Sequence, residues 1–335
     1  MYEFDHSGPV TVALRAHTGT VEVLAEPSSP GSAPSAPPSL SSPAFPSSPA
    51  FPSSPAFPSS PAAPAEAASP VAGAGVPGVS VEVSPADGSA AARQAVELTR
   101  VQLDGDTLVV QAPPFERWRM RRPAPLRIVI RVPSGSTLTG ESSAANLRAD
   151  GVYRDVHLRL SSAAAHVAEV LGDVHLGTSS GDLSVLRAGG AVHVRSVSGR
   201  IRVGDVTGDA TVGTASGDIA VRSCGGSLAA VTASGDIEVG SLCQGRARLK
   251  TSSGDISVGV APGTGVWLDV NTATGRAIND LTAADPSPRS PAPAPVGSVA
   301  APATPAVPVT SLEIRVRTAS GDIRIHRAAG PSGAA

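Results

Sequence analysis

An all-β fold, a β-solenoid built from repeats of about 18 residues, is what this sequence predicts, and three observations carry the prediction. Glycines fall at 172, 181, 190, 199, 208, 217, 226 and 235, a run of nine-residue steps that then stretches slightly to 245, 254, 265 and 275. Counting each unit from its glycine, positions 3 and 5 are apolar (Ile201 and Val203, Ile219 and Val221, Ile237 and Val239), while position 4 is mostly polar. Ser or Thr precedes the glycine in alternate units, at 180, 198, 216, 234, 253, 274 and 320, which doubles the period. Period-two alternation closed by a turn reads as a short strand with two inward side chains, so one repeat holds two strands and two turns. An antiparallel meander has the same local pattern. The solenoid is favoured because every unit keeps the same small apolar pair, which suits a thin core where like stacks on like.

The elements follow in order. Val10–Leu14 and Thr20–Leu24 alternate as strands within 1–26, the first strands of the β domain. Residues 27–78 turn to Ser, Pro and Ala, with three tandem copies of SSPAFP, and too little apolar surface to offset ordering entropy; disorder is expected there. An opening β section, 79–135, reads as strands at VSVEV, VELTRVQL, TLVVQA and LRIVIRV. The solenoid repeats occupy 136–284, a second Pro/Ala-rich disordered insertion 285–308, a closing repeat 309–327 and a flexible tail 328–335.

Composition narrows the function. Charged residues are 16% and the net charge is -2, so the overall basic footprint of a nucleic-acid binder is missing. No secretory signal is seen at MYEFDHSGPVTVAL and no apolar run is long enough for a membrane span, so a cytoplasmic protein is expected, with the cell surface as the alternative. Two cysteines, Cys224 and Cys243, are too few for a disulfide framework; their similar place in successive units makes them neighbours, expected as two buried thiols.

Four turns repeat Ser-Gly-Asp-Ile, and a row of aspartates could be a calcium array, a set of catalytic carboxylates, or turn chemistry. Calcium β-rolls use several glycines per unit, whereas each turn here has one glycine and one acid. The column also reads Asp182, Arg200, Asp218, Asp236, Asp255, Arg276, Asp322, and arginine cannot ligate calcium. The turns at Gly181–Asp182, Gly217–Asp218, Gly235–Asp236, Gly254–Asp255 and Gly321–Asp322 are therefore read as structural, with glycine supplying positive φ and the polar side chains satisfying turn N–H groups. Stacked carboxylates near 5 Å repel by roughly 1 kcal/mol in water, and Arg200 relieves Asp182 and Asp218.

His157, His175 and His193 recur at position 4, so a solenoid lines them up outward on three coils. This column is the single candidate for a metal such as zinc, set against an ordinary solvent-facing strand position continued by Thr211 and Ala229. FERWRMRR, Phe115 to Arg122, is read as a solvated loop with one anchoring indole rather than an anion patch. Gly73–Gly78 and Gly177–Gly181 match dinucleotide and nucleophile-elbow patterns only in letters, without the strand-to-helix context either needs. No cofactor and no catalytic residue are expected.

The recurring T-x-SGD-I stretches, the lead-in LRIVIRVPSGS (Leu126 to Ser136), and GVWLDVNTATGRAINDL (Gly265 to Leu281) before a closing TASGDIRI resemble the bacterial "putative adhesin" family of β-strand-repeat proteins, a domain of unknown function common in actinobacteria. The resemblance implies a β-solenoid-like fold and transfers no catalytic residue. The expectation is a non-enzymatic binding or scaffolding surface for a protein or polysaccharide partner, without nucleic acid. A surface adhesin is the first alternative. A carbohydrate-active enzyme is the second, disfavoured by the regular columns and by aromatics at 3%.

Overall fold

The computed structural model describes residues 1–6, 8–26, 78–113, 125–281 and 311–328, all of them in one compact unit. The expectations for residues 27–77, for Phe115–Arg122 and for 285–308 lie outside the described residues.

Every letter of T-x-S-G-D-I has a physical task. Thr232 is buried, and its Oγ1 donates to the Ser234 carbonyl and to the Gly217 carbonyl of the preceding coil. Ser234 bridges Ser216 on one side and Ser253 on the other. Gly235 takes φ 140°, and a Cβ there would overlap the carbonyl oxygen of Gly217. Asp236 accepts from the backbone N–H of Asp255 on the next coil at 2.8 Å, and Ile237 is fully buried. Position 8 of the units, apolar at Val197, Val206, Ala215 and Leu242, divides between the two ladders: Val206 and Leu242 are buried, whereas Val197 is 56% exposed and Ala215 is exposed. In the first ladder's units the side chain just before it turns in instead, as at Thr178, Thr232, Thr251 and Thr318, whose hydroxyls donate to corner carbonyls, and at Thr214, whose buried hydroxyl has no partner among the described residues.

Two parallel ladders result, which settles solenoid against meander. The first holds β9 (Val174–Ser180), β11 (Val192–Ser198), β13 (Ala210–Gly213), β15 (Leu228–Val231) and β17 (Gly245–Lys250). The second holds β8 (Ala165–Val170), β10 (Leu183–Ala188), β12 (Ile201–Val206), β14 (Ile219–Cys224), β16 (Ile237–Leu242) and β18 (Ile256–Val260). Ile201, Ile219 and Ile237 are direct register partners and each is 0% exposed. Burying one such side chain stabilises by about 1.5–3 kcal/mol, so the stack draws its stability from repetition of one small contact.

Order in space departs from order in sequence at both ends. β2 (Thr11–Glu26) runs through both ladders, between β7 (Ser136–Leu160) on one side and β5 (Thr107–Gln111) with β6 (Leu126–Pro133) on the other. At the far end, β21 (Ser311–Ser320) and β22 (Ile323–Arg327) pair with β17 and β18 and also with β19 (Gly265–Thr274) and β20 (Ala277–Asn279). Sequence order makes 309–327 the closing repeat, yet 311–327 is the next-to-last coil and 265–279 lies outside it.

The opening section contains a helix where the sequence reads as strand. α1 (Ala90–Leu98) takes the first three residues of VELTRVQL, and β4 (Arg100–Asp104) starts only after Thr99. Ser89 caps it by accepting from the Ala92 N–H at 3.1 Å, the Ala-rich run has high helix propensity, and Thr99 closes the end by donating to the Ala95 carbonyl at 2.8 Å. Ala92 and Ala95 are buried, with Ala95 in the same core as the ladders. β4 and β3 (Val79–Pro85) pair antiparallel with β5 and β6, and β3 carries β1 (Tyr2–Phe4) at its edge.

Tyr153 ties β7 to β2. Its hydroxyl donates to the Val23 carbonyl at 2.8 Å and the Asp150 carbonyl at 3.1 Å, and burial pushes its pKa up. Tyr153→Phe is expected to lower unfolding free energy by about 1 kcal/mol in urea titration; an unchanged midpoint would show the bond contributes nothing net.

Candidate binding surface

The corner aspartates form an intercoil ladder. Asp182 accepts from the Arg200 N–H at 2.9 Å, Asp218 from Asp236 at 3.3 Å, Asp255 from Asp322 at 2.7 Å, and Asp322 from Arg276 at 2.8 Å. Each carboxylate spends one oxygen on a neighbour's amide, which the turn would otherwise leave unpaired. The Arg200 guanidinium adds a contact to Asp218 at 3.3 Å. A second such ladder on the opposite corner escaped the sequence reading: Asp155 accepts from Asp173 at 3.0 Å, Asp173 from Ala191 at 2.8 Å and Asp209 from Ser227 at 2.7 Å. The available signal was the Gly-Asp pair at Gly172–Asp173 and again at Gly208–Asp209.

His157, His175 and His193 are exposed register partners with ring centroids 4.8 and 4.9 Å apart and interplanar angles of 22° and 35°. Rings stacked this way hold their nitrogens side by side instead of converging on one point. Among the described residues no three His, Cys, Asp or Glu side chains are grouped to hold a metal ion. The cysteines are not the buried pair expected. Cys224 is buried and its thiol pushed up in pKa by that burial, but Cys243 is exposed, and both are free. The coil between them is one residue longer, so Leu242 takes the register position beside Cys224.

The second ladder bends outward-facing residues into a groove. Its registers skip Leu186, Gly204, Arg222 and Gly240, so each strand turns two consecutive side chains away from the core. The hollow, about 690 Å³, crosses several coils along the axis, and Leu186, Arg187, Arg202, Asp205, Arg222 and Glu238 are among its lining. Leu186 is 49% exposed, an apolar side chain with no cover. Two of its three carboxylates are already engaged, Glu169 lying 3.4 Å from Arg187, and Asp205 lying 3.6 Å from Arg222 while accepting from Ser223 at 2.8 Å.

A parallel two-ladder solenoid with structural corners and an exposed groove defines a β-repeat protein whose specialised surfaces are its outward columns. The chain matches the Toastrack DUF4097 family over residues 85–281, more than half its length, and it belongs to that family. Among solved structures it is similar to one described as "a putative cell adhesion protein" from Clostridium sporogenes, at 7% identity, 95% coverage of this chain and 92% of that one, with a TM-score of 0.22. No curated protein matches the chain. Among the described residues no helix is long and apolar enough to cross a membrane.

Proposed function

We propose that this chain is a non-catalytic binding scaffold of the cytoplasm and that an extended polypeptide lies in the groove of the second ladder. The carrying observation is the groove itself: an apolar side chain, Leu186, flanked by guanidinium and carboxylate groups at regular steps along one axis. An extended chain laid across the strands meets one row about every 4.8 Å. Two of the groove's three carboxylates, Glu169 and Asp205, are each held by an arginine, Arg187 and Arg222, which leaves Glu238 without a second free carboxyl for paired acid–base work. Two free thiols suit a reducing compartment.

Selecting linear peptides from a random library on the full chain tests this. Enriched peptides should lose about tenfold or more in affinity when Leu186→Glu and Arg202→Glu are combined, both substitutions being at outward positions that leave the core intact. Peptides that bind the double variant as well as the parent would place the site elsewhere.

A further inference from the structure

The coil that enters out of order creates a cation cluster that neither of its strands carries alone. Arg248 stands beside Arg315, and Lys250 beside Arg317, as direct partners of β17 and β21. All four alternate with the buried Ala247, Leu249, Ile314 and Val316, so they share the outer face of the first ladder. Like charges directly opposite on neighbouring strands oppose folding. Two acids relieve part of this: Glu313 accepts from Arg246 Nε at 2.9 Å and Arg315 Nη2 at 2.8 Å, and Asp269 of β19 is the register partner of Arg315 on its other edge. The Arg315 guanidinium also lies 5.7 Å from the Trp267 ring centroid, while its Nε is buried with no hydrogen-bond partner. Arg248, Lys250 and Arg317 make no ion pair among the described residues. A grid that works against the fold, with one guanidinium already oriented, is explained by an anionic ligand.

We propose that this face binds an acidic polysaccharide running along the solenoid axis, anchored on Arg248, Lys250, Arg315 and Arg317. Rows of the ladder are about 4.8 Å apart, close to the length of one pyranose unit, so successive carboxylates or sulfates fall over successive rows. The same columns continue back through Arg195, Arg159 and the stacked histidines, a track of roughly 29 Å at that spacing. Single-stranded nucleic acid fits worse. It binds by stacking bases on aromatic side chains, and the outward positions between the two ends of this track are Thr211, Gly213, Ala229 and Val231.

The test is calorimetric titration of the full chain with an oligogalacturonate, a sulfated oligosaccharide, a neutral dextran oligomer and single-stranded DNA of matched charge. Binding of one or both acidic saccharides, weakening with salt, is expected, with no dextran binding and weaker DNA binding. Which saccharide binds tells carboxylate from sulfate. Arg248→Ser with Arg317→Ser should weaken that binding about tenfold, yet raise Tm by about 2 °C as the like-charge contacts go. Leu186→Glu with Arg202→Glu should leave it unchanged, which separates this site from the groove. DNA bound as tightly as either saccharide, no saccharide binding, or a double variant that binds normally or melts lower would each overturn the proposal.

Discussion

A chain ending at Leu281 is expected to lose the folded state of its last coils, where a terminal repeat would cost only its own length. Residues 311–327 contribute Leu312, Ile314, Val316, Ile323 and Ile325, none more than 1% exposed, and these sit between Leu249 and Val258 on one side and Leu268 and Val270 on the other. Removing five such side chains forfeits on the order of 10 kcal/mol of burial. That is comparable with the whole stability of an ordinary domain. β19 and β20 lose every strand they pair with, and Leu249 and Val258 lose their cover. Hydrogen exchange on the truncated chain should show unprotected amides across 265–279 and weakened protection in β17 and β18. Protection there equal to that of the full chain would mean that 265–279 had docked directly on β17 and β18.

Gly235→Ala should be strongly damaging for a single methyl, lowering unfolding free energy by about 3 kcal/mol or more. The residue holds φ 140°, and the added Cβ meets the Gly217 backbone, which cannot yield without breaking the corner of the preceding coil. Gly177→Ala is the control. Its Cβ would face open space at ordinary φ on an outward strand position, so the same change should be neutral or stabilise by about 0.5 kcal/mol. Urea unfolding of the two variants side by side reads the difference, and equal midpoints would show that the corner glycines are not needed for their conformation.

What the sequence reveals and what it hides divide along a physical line. Local terms are legible: Ile219 and Ile237 face inward because period-two alternation demands it, and Gly217 is a corner because only glycine takes that φ cheaply. Which coil lies beside which is a competition between nearly identical surfaces. Leu268 and Ile314 are the same kind of inward side chain for covering Ala247, so no local pattern shows that β21 prevails over β19 as the neighbour of β17. The cation grid inherits that invisibility, since Arg248 and Arg315 are 67 residues apart in the chain. A net charge of -2 also averages over the whole chain and conceals the local cluster where β17 meets β21. α1 was hidden differently: Val96 carries strand propensity, but the Ser89 cap and two buried alanines outweigh it.

The intercalated coils change how the molecule meets mechanical load. A spring whose outermost turns are also its attachment points peels open one turn at a time, breaking few bonds at any instant. β2 and β21 instead have hydrogen-bonded neighbours along both edges. Tension entering through either strand is resisted by two rows of hydrogen bonds where an outermost turn would have one, so more bonds must break before that strand is released.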